Sequence, residues 1–435
     1  RQNNNNNNNN ENQNSEIPAL PFADGTNPSI LKLVDNPRID PSIRDFFEAS
    51  GGSTPATTPY YLATICMTDS QCSWDLTPEE IAEFHLSPND KPSTVRTVLL
   101  VLNRNFETLE EATIHARIDA FYGGRRNRRP PKPENQLKTF ALDDARLFTH
   151  KGQIWVSYRE GKLFGYEKQV LNQLHFDRVN DTEKTSDANG AEHSTKTLRA
   201  TNAVSSGTGK QRRQQQQQQQ LTVTFLASEV ETLCCGRNMA LIDNVHTNQL
   251  QALTWVDPVT VVDVDVHKTD EQLDGAAAAA ESSAHRRRLS EAKNKKKSHM
   301  HGTNGFMVHL PSDGEYLGIG HFHRPNDRNK NEYARFGHHY THAFFTISDK
   351  PPFRLKRLSP ELVLPSHVHP EDAEVIQFWS GLELSSSKTL ALVYGINDCE
   401  GAAIDLDLAV VENLLRDVPE GKEVVDFMMM PLHHR

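Results

Sequence analysis

Cysteine is scarce and badly spaced for a framework. Cys66, Cys72, Cys234, Cys235 and Cys399 are the five among 435 residues, which excludes a disulfide scaffold and a CxxC zinc site. No hydrophobic run approaches the roughly 18 residues needed to cross a bilayer, so no transmembrane helix is expected in the chain as given. There is no Gly-x-Ser-x-Gly nucleophile elbow, no P-loop and no dinucleotide fingerprint. Positive charge is in deficit: 47 Lys and Arg face 57 Asp and Glu, for a net charge of −10. Nucleic acid is therefore not expected as a partner of the whole chain. The sequence opens on Arg1 rather than Met, so a missing leader says nothing about compartment, and the secretory lumen and the cytosol both stay open.

What is present is polar, with a mean hydropathy of −0.63. Three stretches carry no hydrophobic period and too little apolar surface to offset the entropy of ordering. They are an Asn-rich tail over 1–16, an insert over 177–219 that runs into the glutamine stretch Gln214 to Gln220, and an insert over 263–304 with Ala276 to Ala280 and two basic runs. Disorder is expected in all three. That leaves roughly 330 residues for a folded body, enough for one large domain or two ordinary ones.

This remainder reads as strands. Ala145 to His150, the pair Lys151-Gly152, and Gln153 to Arg159 form an alternating hairpin pattern. Residues 374–384, a Ser385-Ser386-Ser387-Lys388 turn, Thr389 to Ile396 and Ala402 to Leu408 read as three strands in succession, and Leu221 to Leu226, Met239 to Asp243 and Leu250 to Val262 add more. Helical periodicity is confined to short stretches such as Thr77 to Phe84 and Ala409 to Leu415. Polar residues open hydrophobic strands at Asn27-Pro28, Asp143-Asp144, Arg237-Asn238, Glu315-Tyr316 and Glu374-Val375. Once the inserts are set aside these openings recur about every 40–50 residues after a longer first unit, the spacing of propeller blades. The expectation is an all-β, five-bladed β-propeller forming a single domain over 17–435, interrupted by the two inserts.

Inner strands of a propeller begin near one mouth of the central channel, so residues just before them converge on a shared pocket. Asp143-Asp144-Ala145-Arg146 places an acid and a guanidinium at i and i+2 of a strand. Such a pair suits holding a sugar hydroxyl and protonating a glycosidic oxygen; the plainer alternative is a strand-end Asp with a surface ion pair. His321-Phe322-His323 and His338-His339-Tyr340-Thr341-His342 offer imidazoles as pocket hydrogen-bonders or as satisfied core groups, without the spacing that marks a metal site. Asn397-Asp398-Cys399-Glu400 is either a turn or a carboxylate presented at the channel mouth. Four arginines in Gly123 to Pro130 suit a phosphate or a solvated loop. Asn180-Asp181-Thr182 is the lone glycosylation sequon.

The block Asp143-Asp144-Ala145-Arg146-Leu147 resembles the Glu-Asp-Pro-Arg motif of the five-bladed family of β-mannoside phosphorylases and β-mannosidases. Arg237-Asn238 is similar to that family's Lys-Asn motif and Asn27-Pro28 to its opening Asn-Pro, while His321, Tyr340, His342, Phe378 to Leu382 and Tyr394 to Asp398 follow its closing order. The segment from His338 to Glu400 also resembles uncharacterised propeller domains attached to bacterial glycosyltransferases. The resemblance implies Asp144 as general acid, Arg146 and Asn238 as sugar or phosphate contacts, and inversion at the anomeric carbon by phosphate or activated water. Two positions depart from the pattern: Ala145 stands where the family has Pro, and Arg237 where it has Lys.

The expected activity is therefore hydrolysis, phosphorolysis or transfer at a glycosidic bond, with a lectin-like, non-catalytic propeller as the alternative. Asp144, Asp398 and Glu374 are the candidate catalytic carboxylates. Asp143, Arg146, Arg237, Asn238, His321, His323, Tyr340, His342, Asn397 and Glu400 are the candidate binding residues. The expected partner is an oligosaccharide or glycoconjugate. No cofactor or metal is expected, inorganic phosphate being the possible co-substrate.

Overall fold

The computed structural model describes residues 20–24, 26–49, 51–52, 54–68, 94–118, 136–139, 141–163, 166–180, 219–226, 231–234, 239–257, 259–264, 300–301, 305–323, 340–362, 364, 377–396 and 400–420. Among them, two short helices, α1 (Pro41–Glu48) and α2 (Leu408–Leu414), accompany a large excess of strand. No helix of the described residues is long and apolar enough to cross a membrane.

The first strand, β1 (Leu20–Asp24), sits apart from its sequence neighbours. Blade one holds β2 (Thr26–Lys32), β3 (Tyr61–Thr68), β4 (Thr94–Leu102) and β5 (Thr108–Ile118), with β6 (Gln136–Thr139) on β5. Blade two begins with β7 (Asp143–His150), β8 (Gln153–Leu163) and β9 (Tyr166–Gln173). The chain then returns to blade one through the hairpin of β10 (His175–Asn180) and β11 (Gln219–Leu226), where β11 pairs in parallel with β5. It comes back as β12 (Glu231–Cys234) at the edge of blade two. Blade three holds β13 (Ala240–Asn244), β14 (Gln249–Val256) and β15 (Val259–Asp263).

The inner strand of blade four is broken into β16 (Met300–His301), β17 (Gly305–Phe306) and β18 (Val308–Leu310). The first and last pair with β19 (Glu315–His323), while β17 swings inward to pair in parallel with β13 of blade three. Blade four continues with β20 (Tyr340–Ser348) and β21 (Leu355–Leu358). Blade five holds β22 (Gln377–Ser386), β23 (Thr389–Ile396) and β24 (Glu400–Asp407), after which β25 (Arg416–Asp417) pairs with β21. β1 pairs with β24, so the start of the described chain supplies the outer strand of the last blade and closes the ring. The architecture is a five-bladed β-propeller.

Strand alternation explains the packing. Each blade is sandwiched between two others, so both faces of its strands are buried and both residue sets must be apolar. In β4, Val98, Leu100 and Leu102 pack toward blade five with Ala391 and Val393. The alternate residues Leu99 and Val101 pack toward blade two with Leu147 and Val156. The remaining three joints follow the same rule: Phe148 and Leu241 between blades two and three, Ile242 and Phe345 between three and four, and Phe344 and Leu392 between four and five. Five hydrophobic seams thus hold the ring.

The expected hairpin at 145–159 is β7–β8, and its turn residues Lys151 (φ 49) and Gly152 (φ 80) take the paired left-handed conformations a two-residue hairpin turn requires. The run Leu250 to Val262 divides into β14 and β15. The expected helix at the C-terminal end is α2, capped by the Asp407 side chain, which accepts from Ala409 N at 2.9 Å; the one at 77–84 lies outside the described residues. The helix α1 carries its own sequence signal, with Pro41 at its first turn and Asp40 accepting from Ser42 N at 2.9 Å.

Three expected boundaries shift. Residues 177–180 and Gln219 belong to the β10–β11 hairpin, and Asp263, Met300 and His301 belong to strands, so both insert ranges overlap paired backbone. Glu315 does not open an inner strand: β19 is flanked by β16 and β18 on one side and β20 on the other, and the inner position belongs to residues of 300–310. The tail 1–16 lies outside the described residues.

Candidate functional site

Two inner strands begin with the same local irregularity. On β7, Asp143 and Arg146 face Arg159 and Ser157 of β8, so three steps along one strand meet two along its partner. On β2, Thr26 and Ser29 face Cys66 and Thr64 of β3 in the same way. Each bulge holds a left-handed Asx residue, Asp144 at φ 55 and Asn27 at φ 51. Asp and Asn are the side-chain-bearing residues that adopt this conformation most readily, and a bulge re-aims the residue it contains. The result is a contact between blades: Asn27 Nδ2 donates to Asp144 Oδ1 at 2.7 Å.

Arg146 completes the group. Its Nη1 donates to Asn27 O at 2.8 Å and to Ala145 O at 2.9 Å, and its Nη2 stands 3.7 Å from Asp144 Oδ1. The residue is 4% exposed, and its Nε and Nη2 are buried with no hydrogen-bond partner. Burial pulls the guanidinium below its ordinary value, against the opposing pull of Asp144. Behind it lies Cys66, whose thiol burial pushes up to about 11 and whose Sγ donates to Leu142 O at 3.3 Å. It is a packed thiol, not an activated one. Asp143 points elsewhere and is gripped by Arg159, whose Nε donates to Asp143 Oδ2 at 2.8 Å.

A second group stands at the same end of the propeller. His321 and His342 are direct partners across β19 and β20. The His321 ring lies 5.6 Å from Tyr340 and 5.1 Å from Phe378, and Tyr340 lies 5.6 Å from Phe378. His342 is fully buried behind them, stacked on Trp379 at 4.8 Å, with its Nε2 accepting from Trp379 N at 3.1 Å. Burial, then the neighbouring His321, holds His342 well below its usual value, so it is a neutral imidazole whose proton sits on Nδ1.

Blade five joins the two groups through backbone. Ser380 follows Trp379 and donates its hydroxyl to Pro28 O, next to Asn27. Across the ring, a Cβ on Gly395 would lie 3.1 Å from Asn27 N, and one on Gly305 would lie 3.2 Å from Ser380 O. The openings of β2, β7, β13 and β22 therefore gather at one mouth, with the end of β19 and the start of β20 beside them.

Of the residues singled out from sequence, the structure brings Asp144 and Arg146 together and, separately, His321, Tyr340 and His342. Arg237, Asn238, Glu374, Asn397 and Asp398 lie outside the described residues, as does the arginine-bearing stretch 123–130. His323 and Glu400 occupy strand ends at the mouth by register, His323 opposite Tyr340 and Glu400 opposite Ile396. Asn27, Phe378 and Trp379 join the groups although none was a candidate; the signal for Asn27 was an Asx residue opening a strand, as at Asp144. Among the described residues no three His, Cys, Asp or Glu gather to hold a metal.

Fold and mouth together define a five-bladed propeller that presents an Asx–guanidinium group and a His–aromatic group at one end of its ring. No family model matches the chain, and no curated protein matches it. Among solved structures it is similar to a β-1,2-mannobiose phosphorylase from Listeria innocua in complex with β-1,2-mannobiose, at 11% identity and a TM-score of 0.36. That match covers 65% of this chain and 62% of the other, so the chain spans less than two thirds of that enzyme's length. A mannose phosphorylase from Leishmania mexicana in complex with phosphate matches at 11% identity and a TM-score of 0.35, over 74% of this chain and 78% of that one. A GDP-Man-dependent mannosyltransferase from the same organism matches at 11% identity and a TM-score of 0.29, over 62% and 69%.

Proposed function

We propose that the chain is a carbohydrate-active enzyme that cleaves or forms glycosidic bonds at this mouth, with Asp144 as the proton donor. The observation that carries the reading is a carboxyl held across blades by Asn27, beside a buried guanidinium with two nitrogens that make no hydrogen bond. A buried Arg with donors to spare calls for an acceptor, and a sugar hydroxyl or a phosphate oxygen supplies one. In the reaction Asp144 gives its proton to the glycosidic oxygen as the bond from that oxygen to the anomeric carbon breaks. Water or inorganic phosphate attacks the same carbon from the opposite face, and for water a base removes the proton. Tyr340 and Phe378, half-buried, offer ring faces and edges to the sugar at the other side of the mouth, with the buried His321 packed against both.

A second reading, a lectin-like propeller that binds glycan without turning it over, is favoured by one observation. Inverting hydrolysis needs a second carboxylate, and Asp143, the neighbour nearest in sequence, is committed to Arg159. Glu374 and Asp398 are the proposed partners for Asp144.

The test is a screen of oligosaccharides and sugar phosphates with phosphate present and absent, repeated with Asp144→Asn. Release of a sugar 1-phosphate marks a phosphorylase and release of free sugar marks a hydrolase. The variant should lose about 10²–10⁴-fold in turnover while still binding the glycan. Binding with no turnover by the parent under either condition replaces this reading with the lectin.

A further inference from the structure

We infer that Asn27 is a positioning residue for Asp144, fixing which carboxyl oxygen faces the substrate and meeting the charge that forms when the proton leaves. The inference rests on the proposed role of Asp144 and adds to it a residue on a different blade.

Four observations converge on Asn27. Its amide donates to Asp144 Oδ1 at 2.7 Å, and its carbonyl accepts from Arg146 Nη1 at 2.8 Å, so one residue is bonded to both members of the acid–guanidinium pair. It occupies the left-handed position of a bulge that mirrors the one holding Asp144. Two positions on, the strand is anchored as well: Ser29 Oγ accepts from Leu147 N at 2.9 Å, locking β2 to β7. Room for Asn27 comes from Gly395, where a Cβ would stand 3.1 Å from Asn27 N and 3.5 Å from its Oδ1.

With Oδ1 taken by Asn27 and approached by Arg146, Oδ2 is the oxygen left to carry the proton to the glycosidic oxygen. As that proton departs, negative charge develops on the carboxylate, and the Asn27 N–H bond to it strengthens. Among the described residues, the ionisable groups facing Asp144 are Arg146 and Asp143 on its own strand and Cys66 from β3. Cys66 is engaged with Leu142 O and Asp143 with Arg159, so the amide is the neutral donor that faces the acid.

Asn27→Gly tests this directly, because glycine keeps the positive φ while deleting the amide. Asn27→Asp keeps both size and backbone tolerance but replaces a donor with a second negative charge. Loss of a donor to a carboxylate makes it hold its proton to higher pH. For Asn27→Gly the alkaline limb of the kcat profile should move up by about one pH unit, with kcat down roughly tenfold or more and KM changed less. Asn27→Asp should move the limb further. Profiles that superimpose on the parent's, with only amplitude or stability reduced, overturn the inference.

Titration of the Asp144 carboxyl by carbon-13 NMR in the intact, ligand-free chain, assigned with Asp144→Asn, gives the same answer without substrate. A midpoint raised in both variants supports the positioning role even if no glycan is turned over, in which case the enzymatic reading alone fails. An unmoved midpoint removes Asn27 from the mechanism whatever the activity screen finds.

Discussion

Trp379 is bound to His342 twice: its backbone N–H donates to Nε2 at 3.1 Å, and its indole stacks on the imidazole at 4.8 Å, 5° from parallel. The pair crosses from blade five to blade four, so a neutral histidine serves as a structural hydrogen-bond acceptor at the edge of the mouth.

Replacing it with His342→Phe keeps the ring and removes the acceptor. The buried Trp379 N–H is then unsatisfied, and the variant should lose about 1–3 kcal/mol in urea unfolding at pH 7. A pH dependence should vanish with it. The folded imidazole resists protonation through burial, while the unfolded one takes a proton near the ordinary 6.5. Stability of the parent should therefore fall as pH drops below 6.5, and His342→Phe should be flatter across that window. Parallel pH curves for the two proteins would rule this out.

Asp349 ties blade four to blade three on the opposite face. Its Oδ2 receives His246 Nε2 at 3.0 Å, from the turn after β13, and His309 Nε2 at 3.3 Å, from β18. Burial pushes this carboxyl up, but the hydrogen bonds and charges of the two histidines outweigh it and hold it below 3.8. A carboxylate depressed in the folded state stabilises fully above its unfolded value, and that contribution is lost as pH falls from 3.8 through the lower folded value. Asp349→Asn should be less stable than the parent at about pH 6, with the gap closing toward about pH 2; a gap that stays constant would contradict the assignment.

Ring closure depends on five residues far from the rest of blade five in sequence. β1 pairs with β24 from Leu20–Ala403 to Asp24–Glu400. A chain starting at residue 26 leaves the β24 edge unpaired and should melt about 5 °C lower or more, with a broader transition. An unchanged melting profile by circular dichroism would show that the ring closes without this strand.

Hairpins were legible because they are local. The β7–β8 pattern, its Lys151-Gly152 turn and the β22–β24 meander follow from alternation and turn chemistry within a few residues. The strand-opening Asp144 and Arg146 were legible for the same reason. The broken inner strand of blade four was not, because β17 takes its partner from blade three and leaves Gly305 and Phe306 without a continuous pattern of their own. That is why Glu315, which begins a clear hydrophobic run, stood in for a blade opening it does not make. The β10–β11 hairpin was missed in part because its residues, from Asp177 through Asn180 and from Gln219, share the polar composition of the stretch between them.

Composition and period alone settled that this chain builds a succession of short strands, and they placed an acid and an arginine where one strand begins. Which blade each strand joins, and that Asn27 reaches Asp144 over 117 positions of sequence, were decided only when the ring closed. The reason is physical: side-chain alternation is set by the backbone of each strand, whereas a bond between two blades depends on five sheets packing around a common axis, and no local pattern encodes that distance.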